Sequence, residues 1–477
     1  MKRLNLENTV RNTKSLQWIY YATPDRLKPL LIGLRSISLF QLRYCKKTYS
    51  YLEELMRRDQ LTESEIGSLI QTKIQKIIGT VGSVPFYSKS PVLPTKLEDF
   101  SILERDQVRQ NSISLLNPCI RSPLKFYTAG TSGSGMLVYV DSDAYIQNWA
   151  YWMKHRIWAG LSPRQWRISF FGARLFPLDR RNPPFWIKNK LEHQYLASIF
   201  HISDQNAGSY IQFLEDNQDM YIEGFPTVLY LISQFVKAHN AKLKFPAVFS
   251  TSEPLYPHMR DEIEEAFGTK IFDAYGMSEM CGLIMECEKG GYHVISDYGY
   301  LEIYKSDQMH AKVSEEGYFV WTSLINQAMP LIRYKIGDIG YWEPKTCACG
   351  RPFPCVKPTI TRDSDYLVLQ SGIVFSPRTL NQFLKNKTSF KVCQFIQENR
   401  NEIIVRVVPD LSKNYLTDLK SLMTELRILF QNEKELRIEE EIASEPIRRG
   451  IQGKIPLVIS RLDSSGLYQE DQGFGDS

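Results

Sequence analysis

The sequence predicts an α/β protein in two parts. One is a large N-terminal α/β domain that begins with a helical segment; the other is a small C-terminal α+β domain. Three observations predict it. The 477 residues are too many for one ordinary core, so two domains are expected. Between Phe126 and about Pro358, short apolar runs ending in Gly or Ser alternate with helical stretches, the pattern of strands buried inside an α/β sheet. After about Asp365 the rhythm changes to alternating strands around one amphipathic helix.

Taken in order, residues 1–80 read as helical, with apolar positions three and four apart in Leu52–Arg58 and Glu63–Ile78. Val84-Pro85-Phe86-Tyr87 breaks that pattern. Residues 81–364 form the α/β core. Its strand candidates include Arg167-Ile-Ser-Phe-Phe-Gly, Pro246-Ala-Val-Phe-Ser and Lys270-Ile-Phe-Asp-Ala-Tyr-Gly. Ligands of such sheets sit at the carboxyl ends of strands, which is where the polar motifs fall. Residues 365–463 form the small domain: a short helix over 378–385, a strand from Glu402, a helix over 414–430 and an alternating strand from Glu435. Residues 464–477 are polar and Gly-containing, and are expected to be a disordered tail.

Composition narrows the function classes. Hydrophobic content of 43% and charged content of 23% are those of a soluble globular protein. The longest apolar stretch, Leu30–Phe40, is too short to span a bilayer and contains Arg35. No signal peptide precedes it, so a cytoplasmic location is expected. A net charge of +5 with no Lys/Arg block argues against a nucleic-acid footprint and suits a small anionic substrate. Eight cysteines in such a chain are expected as thiols or metal ligands.

The chemistry starts at Thr128-Ala-Gly130-Thr131-Ser132-Gly133-Ser-Gly135, nearly all hydroxyl residues and glycines. Such a loop lets backbone N–H groups approach a polyphosphate. Gly130 and Gly135 have Walker A spacing, but Met136 and Leu137 stand where Lys and Ser/Thr would be, which argues against a P-loop NTPase. Two further motifs follow: Asp273-Ala-Tyr275-Gly276-Met277-Ser278-Glu279 and Arg333-Tyr-Lys-Ile-Gly-Asp338. Together with Gly453-Lys454, they give an ordered set that resembles the acyl-CoA synthetase, or adenylate-forming, superfamily. The nearest branch is that of phenylacetate–CoA ligases and capsule-associated relatives.

That resemblance implies roles. Thr128, Gly130, Thr131, Ser132 and Gly133 would grip the β- and γ-phosphates of ATP, with Ala129 and Gly135 departing from the usual Ser and Pro. Ser252-Glu253-Pro254 would lie along the adenine, Tyr275 would stack on it, and Gly276 would belong to the same nucleotide site. Read plainly, Ser252 is equally a helix N-cap. Glu279 would hold Mg2+, Asp338 would accept hydrogen bonds from both ribose hydroxyls, and Arg362 would contact ribose. Arg333 would organise the phosphate or ribose side. Asp365 would be the pivot of a mobile C-terminal domain that brings the catalytic Lys454 to the α-phosphate. The acyl pocket would lie near Tyr221–Pro226 and Tyr275–Met277.

Cys287, His293, Cys347 and Cys349 form a Cys3His set suited to structural zinc, with Cys281 and Cys355 as alternatives. The expected reaction is ATP-dependent conversion of an aryl or small carboxylate to acyl-AMP, followed by transfer to CoA. The alternatives are transfer to an amine or hydroxyl, AMP transfer to a hydroxyl, or a binding module without catalysis. The acid, the acceptor and the oligomeric state are not legible.

Overall fold

A computed structural model describes residues 20–89, 93–127, 136–305, 309–359, 366–375, 377–384, 387, 389–447 and 456–462. Outside these residues lie Thr128 to Gly135, Arg362, Asp365, Lys454 and the tail from Ser464. The described chain forms two compact units, 20–359 and 366–462. The mixed α/β architecture expected from the sequence is borne out.

The first unit opens with three helices: α1 (Lys28–Arg43), α2 (Lys46–Arg58) and α3 (Glu63–Ile78). Helix α3 starts where it does because of a capping box. Thr62 Oγ1 accepts from the Glu65 amide, and Glu65 Oε2 accepts from the Thr62 amide at 2.8 Å. Its buried face is a row of isoleucines, Ile66, Ile70, Ile74, Ile77 and Ile78, at helical spacing. Truncating one of them to Ala would cost about 2–5 kcal/mol.

Strands β1 (Leu103–Glu104), β2 (Leu124–Tyr127) and β3 (Leu137–Val140) follow, with the short α4 (Arg105–Gln110) between β1 and β2. Helix α5 (Ser142–Trp158) is capped by Asp141, whose carboxylate accepts from the Ala144 amide at 2.7 Å. This helix is buried even at charged positions, and each charge has a partner. Lys154 pairs with Asp59 at 2.5 Å and Arg156 with Glu223 at 2.8 Å. Burial pushes His155 down to about 3, so its imidazole is neutral among Phe249 and Phe272.

Next come β4 (Arg167–Phe170), β5 (Trp186–Asn189), β6 (Gln194–Ala197), α6 (Asp204–Glu215), β7 (Tyr221–Gly224), α7 (Pro226–Ala238), β8 (Val248–Thr251), α8 (Pro257–Phe267), β9 (Ile271–Gly276), β10 (Leu283–Glu286) and β11 (Tyr292–Val294). These eight strands form one sheet in the order β11-β10-β9-β8-β7-β4-β6-β5. Strands β6, β4, β7, β8 and β9 run parallel. They are short and largely buried, and the charges they carry inside, such as Arg167 and Glu223, are paired with each other. The sequence motifs follow their carboxyl ends.

A second sheet contains β12 (Gly299–Tyr304), β13 (Gly317–Ser323), β14 (Tyr334–Trp342) and β15 (Val356–Thr359), with β1 parallel to β14. Phe319 and Trp321 of β13 and Tyr275 of β9 meet between the two sheets.

The second unit holds the hairpin β16 (Leu367–Val368) and β17 (Val374–Phe375), helix α9 (Pro377–Leu384) and helix α10 (Tyr415–Leu429). Its four-stranded sheet has the order β20-β19-β18-β21, from β18 (Phe390–Asn399), β19 (Glu402–Pro409), β20 (Arg437–Ile442) and β21 (Val458–Ser460). Leu419, Leu422, Met423 and Leu426 form the buried stripe of α10. Among the described residues no helix is long and apolar enough to cross a membrane.

Candidate active site

The carboxyl ends of β8 and β9 bring two sequence motifs side by side. Thr251 pairs with Ala274 in register, so Ser252-Glu253-Pro254 leaves the sheet beside Tyr275 and Gly276. Ser252 is not a helix N-cap. It has a left-handed φ of 79°, and α8 begins only at Pro257 with Tyr256 as its cap. Glu253 turns instead toward α7, accepting from Thr227 Oγ1 at 2.6 Å and from the Thr227 amide. A carboxylate is favoured there because the helix N-terminus carries unpaired N–H groups.

The third motif reaches the same place from the other sheet. Asp338 lies on β14, and its Oδ2 accepts from the Tyr275 hydroxyl at 2.6 Å. The Tyr275 ring lies near-parallel to Trp321, at 6.2 Å and 17°, and edge-on to Phe319. The ring is thus backed by aromatics and only half-buried. Glu279, in the turn after β9, is buried and accepts from the Tyr334 hydroxyl at 3.2 Å. Burial and the Glu279 carboxylate hold the Tyr334 phenol well above its ordinary value, so it remains a donor. The end of β9 and the middle of β14 therefore bring a flat ring and a carboxylate together from motifs some sixty positions apart, and Tyr334 of β14 ties the same strand to Glu279.

Arg333 is directed elsewhere. It precedes β14 with a left-handed φ of 51°. Its guanidinium donates to the Glu98 and Phe100 carbonyls and to the Tyr304 hydroxyl, and pairs with Glu302 at 3.3 Å. Burial lifts the Glu302 carboxyl above its ordinary range, against the pull of Arg333. In this arrangement Arg333 braces the start of the strand that carries Asp338. The sequence reading had it on the phosphate or ribose side. Tyr221 is likewise interior: its hydroxyl accepts from Arg156 at 2.5 Å, while Glu223 is held by Arg156 and Arg167. Trp152 of α5 is the aromatic that a side chain at Gly276 would touch.

Cys287, His293, Cys347 and Cys349 converge, with all four candidate ligand atoms within 4.8 Å of one another. Cys287 Sγ is 3.5 Å from Cys347 Sγ, and Cys349 Sγ is 3.2 Å from His293 Nε2. Zn–S bonds of about 2.3 Å at tetrahedral angles put ligand atoms about 3.8 Å apart, so the set fits zinc after a small expansion. The imidazole is oriented for the task. His293 Nδ1 lies 2.8 Å from the Phe353 carbonyl, which can only accept, so the proton sits on Nδ1 and the Nε2 lone pair faces the thiols. Glycines make the knuckle possible: Gly350 turns with φ 76°, and a Cβ on Gly291 would fall 2.7 Å from Cys347 Sγ. Of the two alternatives, Cys281 contacts Met277 Sδ, away from the set. Cys355 lies nearer, 3.6 Å from Nδ1 and 3.9 Å from Nε2, but outside the group of four whose ligand atoms converge.

What the sequence reading missed is the layer behind these groups. Tyr334 stood within a recognised motif but had no assigned role. Arg351, two residues past Cys349, pairs with Glu288 and stacks on Trp158 at 4.2 Å, 3.7 Å from Asp59. No local signal links Asp59 to a cysteine loop nearly 300 residues later.

No protein-family model matches the chain. It is 25% identical to protein CapK of Staphylococcus aureus over 433 residues, covering 87% of this chain and 93% of CapK. It is 31% identical to a phenylacetate–coenzyme A ligase of Thermus thermophilus over 129 residues, 26% of this chain and 29% of that ligase. A second phenylacetate–coenzyme A ligase, from Pseudomonas putida, is 28% identical over 203 residues, 40% of this chain and 45% of the ligase. The chain is thus similar to CapK over nearly the whole of both proteins, and to phenylacetate–coenzyme A ligases over part of each. A structure of 2-hydroxyisobutyryl-CoA ligase with 2-HIB-AMP and CoA superposes with a TM-score of 0.53 at 18% identity, covering 86% of this chain and 93% of that one.

Proposed function

We propose that this protein is an adenylate-forming ligase of the phenylacetate–CoA ligase and CapK branch, which activates a small or aromatic carboxylate with ATP and passes the acyl group to CoA. In the first step a substrate carboxylate oxygen attacks the α-phosphorus, the bond to the β-phosphate oxygen breaks, and pyrophosphate leaves. In the second, the CoA sulfur attacks the acyl carbon and AMP leaves. The single observation that carries the reading is the Tyr275–Asp338 contact, which joins a flat aromatic ring to a carboxylate at one strand end.

The residues divide the work. Asp338 offers two acceptor oxygens to the ribose hydroxyls, and the Tyr275 face receives the adenine. Glu279 would hold magnesium, which neutralises phosphate charge. Thr128, Gly130, Thr131, Ser132 and Gly133 would bind the phosphates, Arg362 the ribose, and Lys454 the α-phosphate charge. These last residues lie outside the described ones, and their roles follow from likeness to the family. Zinc in the Cys3His set would have four protein ligands and no open position, so it would brace the loops and activate no water.

The likeness to CapK leaves the acceptor open. It spans 93% of CapK, whereas the ligase matches span less than half of each ligase. Transfer to an amine or hydroxyl in polysaccharide synthesis is therefore the alternative second step. The test is ATP–pyrophosphate exchange over a panel of aryl, acyl and amino acids, followed by product analysis with and without CoA. Exchange that needs one class of acid is expected. Exchange that ignores every acid, with AMP appearing on a hydroxyl acceptor, would overturn the ligase reading.

A further inference from the structure

Helix α1 has two apolar faces, and among the described residues only one is packed. Ile32 packs with Phe176 and Ile187, and Leu39 and Leu42 pack on the main core. The opposite face carries Leu27, Leu30, Leu31, Leu34 and Ile37, at three- and four-residue spacing, and all are exposed. Leu30 is 63% exposed and Leu34 59%, values expected of lysines. Five large apolar side chains along one helical stripe are more than the scattered exposure normal for a surface.

Charge says what kind of partner this stripe fits. Residues 1–50 contain ten Lys and Arg against two Asp and Glu, a net of +8. The whole chain carries +5, so the other 427 residues stand at −3. The positive charge is thus concentrated in the segment that contains the stripe. Exposed Arg26 lies at its start, and exposed Lys46 just beyond its end. Helix α1 also contacts β5, the edge strand of the large sheet, which is followed by exposed Lys190. A leucine-rich face flanked by cations, on a helix too short to span a bilayer, has the chemistry of an interfacial anchor. Juxtaposed Lys and Arg are drawn to anionic headgroups while the leucines enter the acyl boundary.

We propose that helix α1 docks this protein on an anionic lipid surface, with Leu30, Leu34 and Ile37 inserted and Arg26 and Lys46 on the headgroups. The activating chemistry would then operate at a membrane, beside a lipid-borne acceptor or substrate. The proposal is independent of which acid is activated.

Full-length protein should be sedimented with vesicles of phosphatidylcholine and phosphatidylglycerol at about 7:3, and with phosphatidylcholine alone. Binding to the anionic vesicles is expected, at least tenfold above the neutral ones, falling steeply by about 0.5 M salt. The surface variant Leu30→Glu/Leu34→Glu should lose that binding while keeping the wild-type circular dichroism and melting temperature. If that variant misfolds, Arg26→Glu/Lys46→Glu provides a second arm, expected to weaken binding severalfold. Wild-type protein that stays in the supernatant overturns the proposal. So does a concentration-dependent dimer, seen by analytical ultracentrifugation and abolished by Leu30→Glu/Leu34→Glu, because the stripe would then meet a second copy of itself.

Discussion

The cysteine knuckle and the strand-end cleft both join residues far apart in the chain, yet they hold their polar atoms in opposite ways. At the strand-end motifs, acceptors already have donors: Tyr275 on Asp338, Tyr334 on Glu279. In the knuckle, three sulfurs and one imidazole nitrogen face one another, with His293 Nδ1 tied off on a carbonyl. Hydrogen bonds within a site can be exchanged for bonds to a ligand at little net cost, because donors and acceptors stay paired throughout. Thiols gathered at ligand distance gain little from each other, so their arrangement has a rationale when a metal joins them. The cleft is built to exchange partners and the knuckle to keep one.

The largest effect that would test this contrast is loss of the metal. Wild-type protein should contain about one zinc per chain, and Cys347→Ser should lose it along with something on the order of 5 kcal/mol of stability, since structural zinc binding is folding free energy. Metal analysis with denaturant melts checks this; zinc-free protein of unchanged stability would remove the knuckle's assigned role. Next is Arg333→Ala. It leaves Glu302 buried without its cation, so about 3–4 kcal/mol of stability should go, with nucleotide affinity in the surviving folded fraction changed far less. Lost affinity at full stability would return Arg333 to the nucleotide.

Behind the knuckle, Asp297 pairs with Arg58 at 2.6 Å. Burial alone would raise its carboxyl, but Lys73, Arg58 and Lys154 outweigh burial and hold it below the ordinary range. A depressed folded value means that this stabilisation is present above the ordinary carboxylate pKa and is lost as pH falls through the folded value. Acidification from about pH 4 downward should therefore cost the wild type more than Asp297→Asn, which should already be weaker by about 2–3 kcal/mol at neutral pH. Parallel pH–stability curves would contradict the assignment. The smallest effect belongs to Tyr275→Phe. It keeps the ring and removes the hydroxyl that competes for Asp338, so AMP affinity should stay within about threefold or rise slightly, whereas Tyr275→Ala should cost about tenfold or more. Titration of AMP by calorimetry separates the two. A large loss in Tyr275→Phe would make the hydroxyl a ligand contact.

Where the sequence carried local periodicity, the fold was readable. The isoleucine row of α3, the buried runs of β4, β8 and β9, and the amphipathic α10 all announce themselves within a few residues. The antiparallel second sheet did not, because β12 to β15 owe their places to pairings across distant segments. The same division holds for the sites. Glycines, cysteines and motif carboxylates are legible by type and spacing. The contacts that decide their roles are not: Tyr275 with Asp338, Glu253 with Thr227 and Arg333 with Glu302 are tertiary facts. Arg333 shows the cost, since a motif fixes which residue stands at a position and leaves open which way its guanidinium turns.

The most direct test of the cleft asks whether Asp338 reads ribose. The affinity of AMP and of its 2′,3′-dideoxy analogue should be measured for the wild type and for Asp338→Ala. The account predicts that the wild type prefers AMP by about 100-fold, roughly 3 kcal/mol for two hydrogen bonds to a carboxylate, and that Asp338→Ala binds both ligands alike. A variant that still discriminates between them would contradict it.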